Sequence, residues 1–172
     1  MIIYTILSRL LDYPDPDLKG NLDAMQEALA EDASVEEQER EVINTFCEQL
    51  RQQSLMVLQQ DYVKTFDMVP EHSLHLTHHL FGDDRGRGPA LVDLSEHYKG
   101  MGLGMKEGEL PDYLPLILEY VSILDEFAAR MFLADAKKVL TVLAANLEKS
   151  GSHYAPLLRL VEHRGQLAKT AA

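Results

Sequence analysis

Four histidines fall within eight residues: His72, His75, His78 and His79. On a helix, His75 and His79 would share a face at i, i+4, a spacing that can hold zinc. Glu71, Asp83 and Asp84 stand nearby. No matching ligand-bearing helix is spelled elsewhere, and no second Glu-x-x-His pair as in di-iron bundles. The cluster reads as packed or solvated loop histidines; a helical metal-binding protein using His72–His79 is the alternative. Arg85 and Arg87 lie in the run Gly82-Asp83-Asp84-Arg85-Gly86-Arg87-Gly88. That run lacks the Lys-Ser/Thr of a phosphate-binding loop. With His79, the two arginines make a candidate anion site or structural loop, and ion pairs with Asp83 and Asp84 are the simpler use. Gly100-Met101-Gly102-Leu103-Gly104 imitates a dinucleotide loop, but a helical pattern precedes it where a strand is required. Cys47 is the single cysteine, so no internal disulfide and no cysteine-based zinc site can form. It lies on an apolar stripe and reads as a buried thiol. No nucleophile–base spacing demands catalysis. The chain reads as no enzyme, with a nucleotide hydrolase built on the arginine–glycine loop as a rival.

The most informative segment is Glu109-Leu110-Pro111-Asp112-Tyr113-Leu114-Pro115-Leu116-Ile117-Leu118-Glu119-Tyr120. With Asp112 as N-cap, Pro115 falls at the third helical position, where no intrahelical N–H bond is lost. An acidic cap, an exposed aromatic and a leucine-rich stripe then meet at one helix end. This is either a rigid helix start or the wall of an apolar groove with an acidic rim. Such a groove would take an amphipathic helix.

The elements that must position these residues are helical throughout. Leu7, Leu10 and Leu11 open the pattern, and Tyr13-Pro14-Asp15-Pro16 stops one helix and starts the next. Leu18, Leu22, Met25 and Leu29 form one stripe. Ser34 with Glu37 reads as a capping box for a helix carrying Val42, Ile43, Phe46, Cys47 and Leu50. Ser54 begins another, with Leu55, Leu58, Tyr62 and Phe66 inward. Residues 68–89 form a glycine- and histidine-bearing crossover between helical halves at about 1–67 and 90–172. Pro89 sits in the first turn of a helix that ends at Gly100. One long helix then runs from Asp112 past Met131, and two more stripes follow, Ala136 to Leu147 and Tyr154 to Val161. The expectation is all-α: a single, non-repeating bundle of about eight helices in one domain.

A chain of 172 residues, 46% of them hydrophobic, can fill one core. The net charge of −12 argues against binding nucleic acid or an anionic membrane through a basic face. All of the excess lies before Arg85: residues 1–84 hold 5 basic and 17 acidic side chains, and residues 85–172 hold 11 of each. No apolar run is long enough to span a membrane, and the apolar start lacks a basic leader and a cleavage site. A cytoplasmic location without membrane insertion fits, as monomer or dimer.

Five stretches together resemble the NarJ family, the respiratory nitrate reductase assembly chaperones within the TorD-like group. They are Ser8-Arg9-Leu10-Leu11-Asp12-Tyr13-Pro14, Tyr62-Val63-Lys64-Thr65-Phe66-Asp67, Ser73-Leu74-His75-Leu76 with His79 and Gly82, Asp84 to Leu94, and Glu109 to Tyr120. They occur in order over most of the chain. The resemblance implies an all-helical, TorD-like protein with no cofactor of its own. It implies binding to the N-terminal segment of the catalytic (alpha) subunit, which is held competent for insertion of molybdenum cofactor and an iron–sulfur cluster. In the wider group the segment matching Pro111-Asp112-Tyr113 usually ends in Asp-His and contributes to peptide binding. Here Asp112 matches and Tyr113 offers an aromatic face to a peptide cation. The expected partner is an amphipathic helix with a basic face. Its apolar side would bury against Tyr62, Phe66, Leu110, Leu114 and Leu118, flanked by Pro111, Tyr113 and Pro115. Its cations would meet Asp112 and Glu109.

Overall fold

The computed structural model describes residues 1–82, 84–105 and 108–166. Helices start and stop where the chain supplies local reasons. In α1 (Ile2–Leu11), Ile3, Leu7, Leu10 and Leu11 recur on one face and are buried. Asp15 caps α2 (Pro16–Gly20), accepting from the Leu18 N–H at 2.7 Å, with Pro16 in the first turn. The Leu18–Leu29 stripe is divided, because α2 ends at Gly20 and α3 (Leu22–Glu31) starts afresh. The next cap differs from expectation. Glu36 caps α4 (Glu37–Gln52), and its N–H donates to Glu39 Oε2 at 3.0 Å in a capping box. Ser34 instead bonds Asp32, 2.6 Å from its hydroxyl. Ser54 caps α5 (Leu55–Tyr62), which runs on into a wider turn, Val63–Asp67.

The middle holds a short 3-10 turn at Pro70–His72, then α6 (Leu76–Phe81) and α7 (Arg87–Gly100). The expected long C-terminal helix is two: α8 (Leu114–Ile123) and α9 (Glu126–Asp135), separated because Asp125 caps a new start through the Ala128 N–H at 2.8 Å. The last two are α10 (Lys137–Lys149) and α11 (Ala155–Gln166). Eleven α-helices thus stand among the described residues where about eight were expected, because two long apolar stripes are each divided and the crossover holds α6. The class remains all-α in one domain, and the only pairing of extended backbone among the described residues is a single bridge, His75 with Tyr113.

Helices α1 and α8 form the centre. Ser8 Oγ donates to the Pro115 carbonyl at 2.7 Å across their interface. Around them α9, α10 and α11 pack on one another. Gly165 permits the close approach of α11 to α9, since a Cβ there would lie 2.9 Å from the Leu133 carbonyl oxygen. Cys47 is buried in this core, which pushes its thiol up to about 11 and leaves it inert.

Candidate functional site

The Glu109–Tyr120 segment turns inward before α8 begins. Tyr113, not Asp112, is the N-cap of α8, and Leu114 and Pro115 occupy its first turn. The shift has a backbone cause. Leu76 N–H donates to the Asp112 carbonyl at 3.0 Å, and Leu114 N–H donates to the Leu74 carbonyl at 2.9 Å. These bonds hold residues 112–114 extended against residues 74–76.

The Asp112 side chain is fully buried, and its carboxylate caps another helix, α6. Oδ2 accepts from the Thr77 N–H at 3.1 Å and the Thr77 hydroxyl at 2.5 Å. Oδ1 accepts from His75 Nδ1 at 3.2 Å. The Arg87 guanidinium lies 3.7 Å away and also donates from Nε to Thr77 Oγ1 at 3.1 Å. Burial alone would raise the Asp112 carboxyl; the bonds from His75 and Thr77 outweigh it and hold the group below its ordinary value. The imidazole beside Asp112 comes from His75, whose ring lies 5.2 Å from that of Tyr113.

Tyr113 ties the same point to α1. Its hydroxyl donates to Asp12 Oδ1 at 2.9 Å and lies 2.7 Å from the Tyr62 hydroxyl, which in turn reaches the Leu11 carbonyl at 3.1 Å. Burial raises both phenols.

This geometry corrects the expected groove. Tyr62 and Phe66 are 4% and 5% exposed, and Leu114 and Leu118 are closed off entirely, so these four are core and present no wall to a partner. Asp112 is no rim charge. Pro111 and Pro115 are buried as well. Of the expected binding residues, Leu110 is exposed, and Glu109 and Tyr113 are half-buried.

The other candidates also resolve. His72 Nδ1 lies 3.0 Å from the Thr65 carbonyl and His79 Nε2 lies 2.7 Å from the Ser73 carbonyl, while His75 serves Asp112. His78 lies edge-on to His79 with ring centres 5.8 Å apart, and among the described residues no three His, Cys, Asp or Glu side chains gather to hold a metal. Arg87 pairs with Asp112 across the fold and not with neighbouring Asp84, whose Oδ1 accepts the Gly86 N–H at 2.7 Å. Arg85 is exposed, while His79 is engaged by the Ser73 carbonyl and Arg87 by Asp112. The expected pairing with Asp83 lies outside the described residues.

A different face of the same segment borders open space. Leu116 and Ile123 of α8 and Leu103 and Met105 of the chain beyond α7 stand partly open around a cleft of about 320 Å³, whose closed floor is the buried pair Tyr98 and Tyr120. Glu119 stands on its lip. Tyr98 is fixed by its hydroxyl, which donates to the Pro111 carbonyl at 2.8 Å, and Tyr120 by a 2.6 Å bond to His97 Nε2. An apolar cleft with one carboxylate at its edge can take apolar side chains and orient a cation. The i, i+4, i+7 spacing of Leu116, Tyr120 and Ile123 was a readable signal. It was hidden because α8 is apolar nearly all round, and the Leu114–Leu118–Val121 stripe looked like the principal face.

Comparison with known proteins agrees with this architecture. A profile of the nitrate reductase delta subunit family matches residues 16–159. The chain is 37% identical over 171 residues to the nitrate reductase molybdenum cofactor assembly chaperone NarJ of Escherichia coli K12, spanning 99% of this chain and 71% of that one. It is 34% identical over 160 residues to the probable chaperone NarJ of Bacillus subtilis, 93% of this chain and 86% of that one. To the probable chaperone NarW of E. coli K12 it is 32% identical over 168 residues, 98% of this chain and 68% of that one.

Proposed function

The chain belongs to the nitrate reductase delta subunit family, and from that premise we propose that it is a system-specific assembly chaperone. Its client is the nitrate reductase enzyme, and it performs no catalysis of its own. It acts in the cytoplasm on the N-terminal segment of the apo catalytic subunit. It keeps that subunit competent for insertion of molybdenum cofactor and an iron–sulfur cluster before membrane docking. The observation that carries the binding step is the open apolar cleft on the outer face of α8.

In this reading the client segment is an amphipathic helix with a basic face. Its apolar side chains lie against Leu103, Met105, Leu116 and Ile123, over the buried floor of Tyr98 and Tyr120, and its cations meet Glu119. Leu110, Glu109 and Tyr113 extend the surface. The buried residues of the segment, Asp112 with Pro111, Leu114, Pro115 and Leu118, act by holding α8 in place, with Tyr62 and Phe66 behind it. Each exposed ion pair contributes about 0.2–1 kcal/mol and each buried leucine-sized side chain about 1.5–3 kcal/mol, so apolar burial supplies most of the affinity. The acidic first half steers the approach.

The chain has no Trp, so a Trp-bearing client peptide supplies a clean fluorescence signal. The expected outcome is binding at tens of micromolar or tighter, an association rate that falls with salt, and loss of affinity in Ile123→Lys, a residue 56% exposed and therefore free to change without unfolding the core. Co-purification with the catalytic subunit should require that subunit's first residues. A client peptide that does not bind at these concentrations removes the chaperone reading.

A further inference from the structure

Helices α9 and α10 leave three large apolar side chains open to solvent: Phe127 at 69%, Met131 at 44% and Val142 at 52% exposure. None of them lines the cleft on α8. Phe127, Met131 and Asp135 recur at i, i+4, i+8 and are all exposed, so they share the outer face of α9. Asp135 and Ala134, the latter one turn beyond Met131, line an open hollow of about 810 Å³ with Lys137, Lys138, Thr141 and Val142. Lys138 and Val142, at i and i+4, carry the same face onto α10. Its exposed order is Phe127, Met131, Asp135, Lys138, Val142: two apolar residues, a negative charge, a positive charge, an apolar residue.

The two charges are not used within the chain. Among the described residues the side chains of Asp135 and Lys138 make no ion pair or hydrogen bond, whereas Arg130 on the same helix is taken by Glu126. Turned end for end, the run Met131, Asp135, Lys138, Val142 is its own complement. A two-fold axis between Asp135 and Lys138 sets each Asp135 against the partner's Lys138 and each Met131 against the partner's Val142. That is the reciprocal pairing an isologous interface requires. The distribution of charge over the chain favours the same face. The whole excess of −12 lies in residues 1–84, which repel their counterparts in another copy, while residues 85–172 hold 11 acidic and 11 basic side chains. Contact through α9 and α10 lets two copies meet on their neutral halves.

We propose that the α9–α10 face is a two-fold docking surface for a second copy of this chain, with reciprocal Asp135–Lys138 ion pairs beside Met131 and Val142 and with Phe127 at each margin. The exposed ion pairs fix the register and add little attraction; burial of Met131, Val142 and Phe127 supplies most of it. A face of this length belongs with the small, transient interfaces, under about 1,200 Å², so the dimer forms at roughly tens of micromolar. Its occupant and its residues differ from those of the α8 cleft, and the two readings fail separately.

The test is sedimentation equilibrium of the full chain from about 5 to 500 micromolar, where the mass should pass from one chain to two. Lys138→Glu sets carboxylate against carboxylate at both pairs, and Asp135→Lys sets ammonium against ammonium. Each should weaken the dimer about tenfold or more, as should Met131→Lys. All three positions are exposed, so the variants should keep the helical signal of the parent. The double variant Asp135→Lys, Lys138→Glu should restore the dimer, and an equimolar mixture of the two charge variants should form a mixed one. A chain that stays monomeric over the whole range overturns the proposal. So does a dimer that survives both charge variants, as one made by exchanging helices between copies would, or one that the double variant fails to restore. The client peptide should bind Lys138→Glu as it binds the parent. Binding lost in that variant alone would assign this face to the client and overturn the dimer, whereas a peptide that binds neither chain removes the client reading and leaves the dimer standing.

Discussion

Of the three carboxylates buried among the described residues, Glu39, Asp112 and Glu162, the first two are held in different ways. Glu39, at the start of α4, faces one full cation. Arg164 of α11 grips it in a fork, Nε to Oε1 at 2.7 Å and a terminal nitrogen to Oε2 at 2.6 Å, with both side chains shut off from solvent. The guanidinium lies 5.4 Å from the ring centre of Tyr4, which closes the other side. Asp112 is held by several partners. Two donors on Thr77 and one on His75 bond it, and its cation, Arg87, stands off at 3.7 Å. Burial would raise both carboxyls; Arg164 in one case, and His75 with Thr77 in the other, bring each below its ordinary value. Glu39 keeps only the Glu36 N–H besides Arg164, so a charge gripped by one side chain is vulnerable to one substitution. A charge held by several partners degrades by steps.

The sharpest way to break the comparison is Arg164→Ala. It leaves Glu39 charged and buried without its cation, and the expected loss is about 3–5 kcal/mol in urea unfolding. The double variant Arg164→Met, Glu39→Leu should regain most of it, because a packed apolar pair needs no counter-ion. A loss below about 1 kcal/mol for the single variant would show that the pair is hydrated and not a buried bond.

Asp112→Asn comes next. The amide turns a donor toward the Thr77 N–H or forfeits an acceptor, and the expected cost is about 1–3 kcal/mol. The same variant tests the pH dependence. A carboxyl whose value is lowered on folding contributes stability that is fully present above its unfolded value and is lost as pH falls through the folded one. For Asp112 that loss begins near about pH 4 and continues downward. Asp112→Asn should therefore flatten part of the acid limb of stability and leave the Glu39 part in place. An unchanged acid limb would mean that Asp112 does not titrate with folding.

The smallest expected effect is Tyr113→Phe. It removes the bond to Asp12 and the 2.7 Å contact with Tyr62, at about 0.5–1.5 kcal/mol, while the ring keeps its place against His75. A cost as large as that of Asp112→Asn would make the phenol chain, and not the carboxylate, the main tie between α1 and α8.

Much of the scaffold was legible because its signals are local. Asp15-Pro16, Ser54 and Gly100 mark true helix boundaries, since a cap or a break involves atoms within four residues. The misread starts were local as well. Ser34 lost to Glu36, where a glutamate cap is supported by Glu39, and Asp125 interrupts a stripe that apolar periodicity alone runs through. The candidate site was legible only in part. The Glu109–Tyr120 segment was the right stretch, but its core face was mistaken for its open one, because α8 carries apolar residues on nearly every side.

The amino-acid order by itself determined an all-helical chain, an acidic first half and membership of a chaperone family, because periodicity, charge count and motif order require no knowledge of what packs on what. Only the tertiary structure decided that Asp112 points inward to cap α6, that Glu39 finds Arg164 at a separation of 125 residues, and which face of α8 stays open. Those outcomes depend on which helix faces meet. Meeting is settled by burying the largest apolar area while satisfying each buried polar group, a condition on the whole fold that no local window contains.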